Sequence, residues 1–328
     1  MIFSGLKKGK SNCTGYEHLS DKELIGSFRT ENWDSFTDSQ KNQILQELEN
    51  REALKAGREP AKVTSLQGDT YGGYNSNTET ISINTNKYVG TQENTSYEVL
   101  DSYYHESRHA CQEHARNSQE LNTDEKSFDM IKVESMRDKD GHLYNYTNRN
   151  PYYDMQTNEM DSNTYAANKL MDNFDSFSSD KNYDKYLEAR SEHFNSVNTS
   201  TQKYSVERQQ MQNANVDRAY KNNDISYGEY AKIKNEINNS NDEKALTDSK
   251  NTEDRLNYYK ENINSYRSTN DKDENRNHSQ PSSADKQVAK NDNTNTMYSD
   301  LMSKREHEES AMQTDNTQNG NSMDNSNT

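Results

Sequence analysis

Ser96-Tyr97-Glu98-Val99-Leu100-Asp101-Ser102-Tyr103-Tyr104-His105-Glu106-Ser107-Arg108-His109-Ala110-Cys111-Gln112-Glu113-His114-Ala115-Arg116 is the stretch from which the fold of this chain is read. No Gly or Pro interrupts it, and Leu100, Tyr104, Cys111 and Ala115 recur as an amphipathic helix packed on a core requires. Ser96 is the expected N-cap, with Asn94 and Thr95 as alternatives. His105-Glu106-Ser107-Arg108-His109 within it is an H-E-x-x-H run. Two imidazoles four residues apart share one helical face and reach one metal ion. The glutamate beside the first histidine then stands next to the water that such a metal binds. Residue types and spacing together point to zinc-dependent hydrolysis, with Glu106 as general base.

A hydrolytic zinc takes three protein ligands and leaves one position open. Gln112 and Ala115 occupy the places where the extended metzincin motif has glycine and a third histidine, which excludes that variant. His114 is turned off the ligand face by its helical position. The helical segment Asn158-Glu159-Met160-Asp161-Ser162-Asn163-Thr164-Tyr165-Ala166 supplies the expected third ligand, Glu159. Asn163, one turn on, is expected to hold the free nitrogen of a ligating imidazole. Small Ala166 and Ala167 let this helix approach another closely. Glu125, Asp129 and Glu134 are nearer in sequence and stand as alternative ligands.

On His105, Glu106, His109, Asn158 and Glu159, the chain resembles the gluzincin branch of the zincin-like metallopeptidases. In that branch a Glu on a second helix, often in an N-E-x-x-x-D context, completes the H-E-x-x-H site. The chain departs at Asn163, where a carboxylate is usual. The H-E-x-x-H-A-x-Q form followed by E-x-D-x-x-x-Y-A is also similar to small zincin-like domains of Gram-positive bacteria, their mobile elements or toxins. The resemblance implies an α+β, zincin-like fold, mainly helical with a small sheet edge before the H-E-x-x-H helix. It implies a Zn2+ cofactor and hydrolysis of a peptide or protein substrate, as in an endopeptidase. Tyr152, Tyr153 and His142 are the candidate oxyanion donors. The alternative is a non-catalytic binding or scaffold protein that keeps a metallopeptidase-like fold. Glu106 speaks against it, because a purely structural zinc has no use for a free glutamate.

Working outward, Tyr71-Gly72-Gly73-Tyr74 and Thr80-Ile81-Ser82-Ile83-Asn84 around an Asn-rich turn read as a β-hairpin just before the metal helix. Such an edge can bind extended substrate by strand addition, or simply cover the helix. Further upstream, Ser20 and Glu23 form a capping box for a short helix, and Asp38 to Leu54 reads as an amphipathic helix ended near Gly57. Trp33, the single tryptophan, is expected to anchor helix packing. Downstream, Met130–Glu134 and His142–Tyr146 read as a strand pair turning at Asp140-Gly141. Pro151 precedes Tyr152-Tyr153 and the Glu159 helix.

Composition bounds the rest. Leu, Ile, Val and Phe supply 29 of the first 195 residues and 11 of the remaining 133, so one packed domain is expected over 18–195. Residues 1–17 read as a flexible lead-in. Residues 196–328 read as a low-complexity, acidic, largely disordered tail with transient helices, and as a potential interaction element. The net charge of −16 disfavours nucleic acid and anionic membrane as partners. Cys13 and Cys111 make no disulfide framework, which fits a reducing compartment. With no apolar leader or spanning run, the chain is expected to be cytoplasmic, or exported without a cleavable signal peptide.

Overall fold

The computed structural model describes residues 14–117, 151–239 and 244–277. Three helices open the chain: α1 (Asp21–Gly26), α2 (Thr30–Trp33) and α3 (Asp38–Lys55). The Ser20/Glu23 capping box is present, and a second one, Thr37/Gln40, starts α3. Ile44 and Leu45 of α3 are fully buried, and Gly57 ends the helix with a positive φ of 69°. Trp33 is buried and stacked on Phe28 at 4.6 Å. The lead-in is shorter than expected, because Thr14 is already buried and its hydroxyl donates to Glu47 at 2.8 Å.

The sheet follows. β1 (Lys62–Ser65), β2 (Gly72–Asn75) and β3 (Thr80–Ile83) lie in the order β1-β3-β2. β2 and β3 form the expected antiparallel hairpin, whereas β1 adds a parallel partner to β3. Ile81 and Ile83 point into the core, as strand alternation requires. The outer edge at the start of β1 is covered by α3 side chains: Gln46 donates to the Ala61 carbonyl at 3.0 Å and accepts from Val63 N–H at 2.8 Å, and Glu49 accepts from Ala61 N–H at 2.8 Å. A small hairpin, β4 (Tyr88–Val89) with β5 (Gln92–Glu93), leads to the H-E-x-x-H helix.

That helix, α4, spans Ser96–Asn117. Its cap is Thr95 rather than Ser96. The Thr95 hydroxyl accepts from Tyr97 N–H at 3.3 Å, while the Glu98 carboxylate accepts from Thr95 N–H at 2.8 Å. α4 packs mainly against α6 (Thr157–Asp172), which the short α5 (Pro151–Asp154) precedes. Ala166 and Ala167 are fully buried in that shared core, as their size predicts. α7 (Phe174–Phe177) and α8 (Lys181–Lys203) complete an aromatic cluster around Tyr97, with Phe177, Tyr183 and Tyr186 all buried. Its hydroxyls are satisfied: Tyr97 donates to Asp180, Tyr183 to the Leu170 carbonyl and Tyr186 to Asp101.

The boundary expected at residue 195 falls inside α8, and the compact body runs on to Ser268. α9 (Ser205–Lys221) and α10 (Tyr227–Asn238) pair around Val216, Ala219, Ile225, Ile233 and Ile237. α11 (Lys244–Asn277) sends Leu256, Tyr259 and Ile263 into the main core. The segment expected to be a disordered tail is therefore packed over much of its length. The expected strand pair at 130–146 lies outside the described residues, as do Cys13, Glu125, Asp129, Glu134 and His142. Among the described residues no helix is long and apolar enough to cross a membrane.

Candidate metal centre

One face of α4 is nailed to the core, and the opposite face carries the histidines. On the buried side Glu49 of α3, fully shielded from solvent, accepts from Arg58 at 2.5 and 3.1 Å, Ala61 N–H at 2.8 Å, Ser107 at 3.0 Å and Tyr103 at 3.3 Å. Arg58 also donates to the Ser107 hydroxyl at 3.0 Å and to Cys111 Sγ at 3.3 Å. Ser107, an unspecified position of the motif, is thus the helix's anchor, and Cys111 lies on the anchored side.

Arg108, the other unspecified position, fixes α4 against α6. Its guanidinium donates to both oxygens of Asp161, at 2.7 and 3.0 Å. That fork sets the register that brings Glu159 opposite the imidazoles. Nε2 of His105 and Nε2 of His109 stand 3.0 Å apart. Glu159 reaches both, Oε2 to His105 at 3.3 Å and Oε1 to His109 at 3.4 Å. These three side chains form the one cluster among the described residues with metal-ligand convergence. His114 is exposed and turned away, as helical spacing predicts.

The donor set fits a tetrahedral ion. Bonds of about 2.0–2.1 Å at tetrahedral angles separate ligand atoms by about 3.3–3.4 Å, close to the distances above. Glu159 Oε2 is buried and, among the described residues, accepts no hydrogen bond. A buried carboxylate oxygen in that condition is costly without a cation.

Gln112 settles which nitrogen of His109 is available. Its amide nitrogen faces only groups that accept here: the Asn158 carbonyl at 3.0 Å, Asp161 at 2.7 Å and Ser162 Oγ at 3.1 Å. Its oxygen therefore faces His109 Nδ1, at 2.9 Å, and makes that nitrogen the donor. In the neutral ring Nε2 is then the lone pair aimed at the cluster. Burial pushes the His109 imidazole down, but the Glu159 carboxylate outweighs it and lifts the ring to about 9. Against burial, the two imidazoles hold Glu159 well below the usual carboxylate range. A metal ion bound here would compete with a proton for the same nitrogen.

Asn163 does not perform the task expected of it. Its side-chain oxygen accepts from Arg190 of α8 at 3.0 Å, and Gln112 with Ser162, whose hydroxyl lies 3.3 Å from His109 Nδ1, takes its place. Residues 162 and 163 flank Glu159 on either side of one turn, and the helix crossing turns Ser162, not Asn163, toward α4. Of the oxyanion candidates, Tyr153 lines the cleft, and Tyr152 packs on Tyr204 at 5.6 Å. Burial and the charges of Glu159 and Glu106 push the Tyr153 phenol well above its usual range, so it remains a donor. Asp154, beside this group, is raised to about 6 by burial and by Glu159.

The cleft encloses about 350 Å³, with Glu106, His109 and Glu159 on one side and Gly72, Gly73 and Tyr74 of β2 on the other. β2 is one of the two edge strands of the sheet. Asn84 N–H donates to the Tyr71 carbonyl at 2.8 Å, so the antiparallel alternation turns the main-chain groups of Gly72 and Tyr74 away from β3. A Cβ at Gly72 would stand 3.1 Å from Glu106 Cγ, so glycine is what lets the strand pass this close. Glu113 also lines the cleft. It sits one helical turn beyond His109, where helical spacing alone places it on the same face. The chain matches no protein-family model, no curated protein and no solved structure.

Proposed function

We propose that this chain is a zinc-dependent peptidase of gluzincin type, with His105, His109 and Glu159 as ligands and Glu106 as general base. One observation carries the reading: the His105–His109–Glu159 cluster opens, past Glu106, onto the outward edge of β2. A zinc ion held by these three residues would supply Lewis acidity and lower the pKa of a bound water toward about 7. Glu106 lines the cleft beside the ligands, placed to take the proton of the attacking water and pass it to the leaving amine. Tyr153 remains protonated and can donate to the carbonyl oxygen as negative charge develops. Gly72 and Tyr74 offer main-chain groups to an extended peptide, which favours polypeptide over small-molecule substrates.

Zinc stoichiometry and cleavage of a fluorogenic peptide mixture test this together. Wild type is expected to bind one zinc per chain, His109→Ala to lose it, and Glu159→Ala to hold it weakly. Glu106→Gln is expected to keep the metal and lose turnover. Absence of zinc uptake by wild type overturns the metal reading, and turnover retained by Glu106→Gln overturns the base.

A further inference from the structure

The corner between α5 and α6 carries two parts of the proposed site, Tyr153 and Glu159. Locally it is held by Gln156, whose main-chain N–H and side-chain amide both donate to the Tyr153 carbonyl, at 3.1 and 3.2 Å. Gln156, the N-cap of α6, makes no side-chain capping bond, and Glu159 sits in the first turn, where an unrestrained helix frays. Support arrives from a remote element. Arg208 of α9, only 3% exposed, donates through Nε to the Met155 carbonyl at 2.8 Å and reaches the Thr157 hydroxyl at 3.4 Å. The guanidinium is held from behind by the Gln212 side-chain oxygen, at 3.2 and 3.1 Å in the amide orientation that satisfies both groups. Four residues earlier, the ring of Tyr204 packs on Tyr152 of α5. Tyr204 and the start of α9 thus clasp both arms of the corner.

We infer that Arg208 is a positioning residue for the metal centre: by fixing the Met155–Thr157 corner it sets where Glu159 enters the ligand cluster. The Glu159 carboxylate must meet two nitrogens at once: α4 holds its neighbours through the Asn158 carbonyl and Asp161, and the corner sets its approach from the N-terminal side. A guanidinium suits the task because its fork bonds a carbonyl and a hydroxyl in one plane. The inference rests on the proposed zinc site and extends it. It gives α9, in the segment poorest in aliphatic residues, a part in the chemistry that composition does not suggest.

The test uses the full chain with Arg208→Met and Arg208→Lys, measuring the zinc dissociation constant by chelator competition, the visible spectrum of the cobalt-loaded site, and melting of the metal-free protein. Removing a residue that orients a metal ligand typically costs about 10–100-fold in affinity. Arg208→Met is expected to weaken zinc by that factor and alter the cobalt bands. Arg208→Lys, which still donates to the Met155 carbonyl, is expected to fall between. In a Glu159→Ala background Arg208→Met should weaken zinc no further. Wild-type zinc affinity and cobalt bands in Arg208→Met, whatever its melting temperature, would make Arg208 purely structural and overturn the inference. If Arg208→Met does not fold, an unchanged affinity in Arg208→Lys and in Gln212→Leu overturns it as well. Wild type that takes up no zinc removes the metal reading itself, a result distinct from either.

Discussion

Arg58→Met is the perturbation that most directly probes how the metal helix is seated. Arg58 and Glu49 form an ion pair at 2.5 Å, with side chains 3% and 0% exposed. Methionine replaces most of the arginine volume but leaves Glu49 with only neutral donors: Ala61 N–H, Ser107 and Tyr103. Breaking one side of a buried pair costs about 3–5 kcal/mol, because the remaining charge stays desolvated. At about 2–4 °C per kcal/mol for a domain of this size, the melting temperature should fall by roughly 6–20 °C. Urea unfolding followed by the fluorescence of Trp33, the single and buried tryptophan, provides the assay. The double variant Glu49→Gln/Arg58→Met removes the stranded charge while its amide oxygen still accepts from Ala61, so it should recover at least about half of the loss. A loss below about 1 kcal/mol in the single variant, or a double variant no more stable than the single, would refute the reasoning.

Gln112→Leu strips the acceptor from His109 Nδ1 and should weaken zinc about 10–100-fold by chelator competition; an unchanged constant would show that Ser162 alone suffices. Gly72→Ala forces Glu106 to give way, so turnover should drop about tenfold or more with zinc stoichiometry intact; unchanged turnover would free Glu106 from its proposed role. Burial raises Asp180, but the N–H groups of Thr30 and Asn182 and the Tyr97 hydroxyl win and hold it below its usual range. Its folded pKa being depressed, its stabilisation is present above the unfolded value of about 3.9 and is lost as pH falls through the folded value. Asp180→Asn should flatten that acid limb of the urea midpoint, and an unaltered limb would exclude Asp180 as its source.

Local signals carried the sequence reading as far as local physics reaches. The β2–β3 hairpin is legible because its turn is Asn-rich and its partners adjoin, whereas β1 pairs in parallel with β3 across the whole hairpin and leaves no mark in Lys62-Val63-Thr64-Ser65. His105, His109 and Glu159 are legible because helical spacing and donor chemistry agree, and they converge as expected. Asn163 was misassigned because spacing names two flanking positions and only the helix crossing chooses between them. Arg108, Asp161 and Gln112 were passed over because their work is done between helices. The packing of α9, α10 and α11 is not legible in an aliphatic count, because that count leaves tyrosine out. In α11, Tyr259 is a core residue stacked on Phe174 at 4.4 Å, and a buried aromatic ring supplies as much apolar surface as an aliphatic side chain.

The Gln46 amide on the edge of β1 has a consequence for how this molecule behaves among its own copies. A three-stranded sheet with two bare edges invites end-to-end stacking of identical chains, the first step toward fibres. Here one edge is plugged by a side chain that imitates a neighbouring strand, and the other is recessed along a cleft. The sheet can therefore grow in only one direction, and only by as much chain as the cleft admits. On the proposed function, the asymmetry that guards one edge against end-to-end stacking would also reserve the other for substrate.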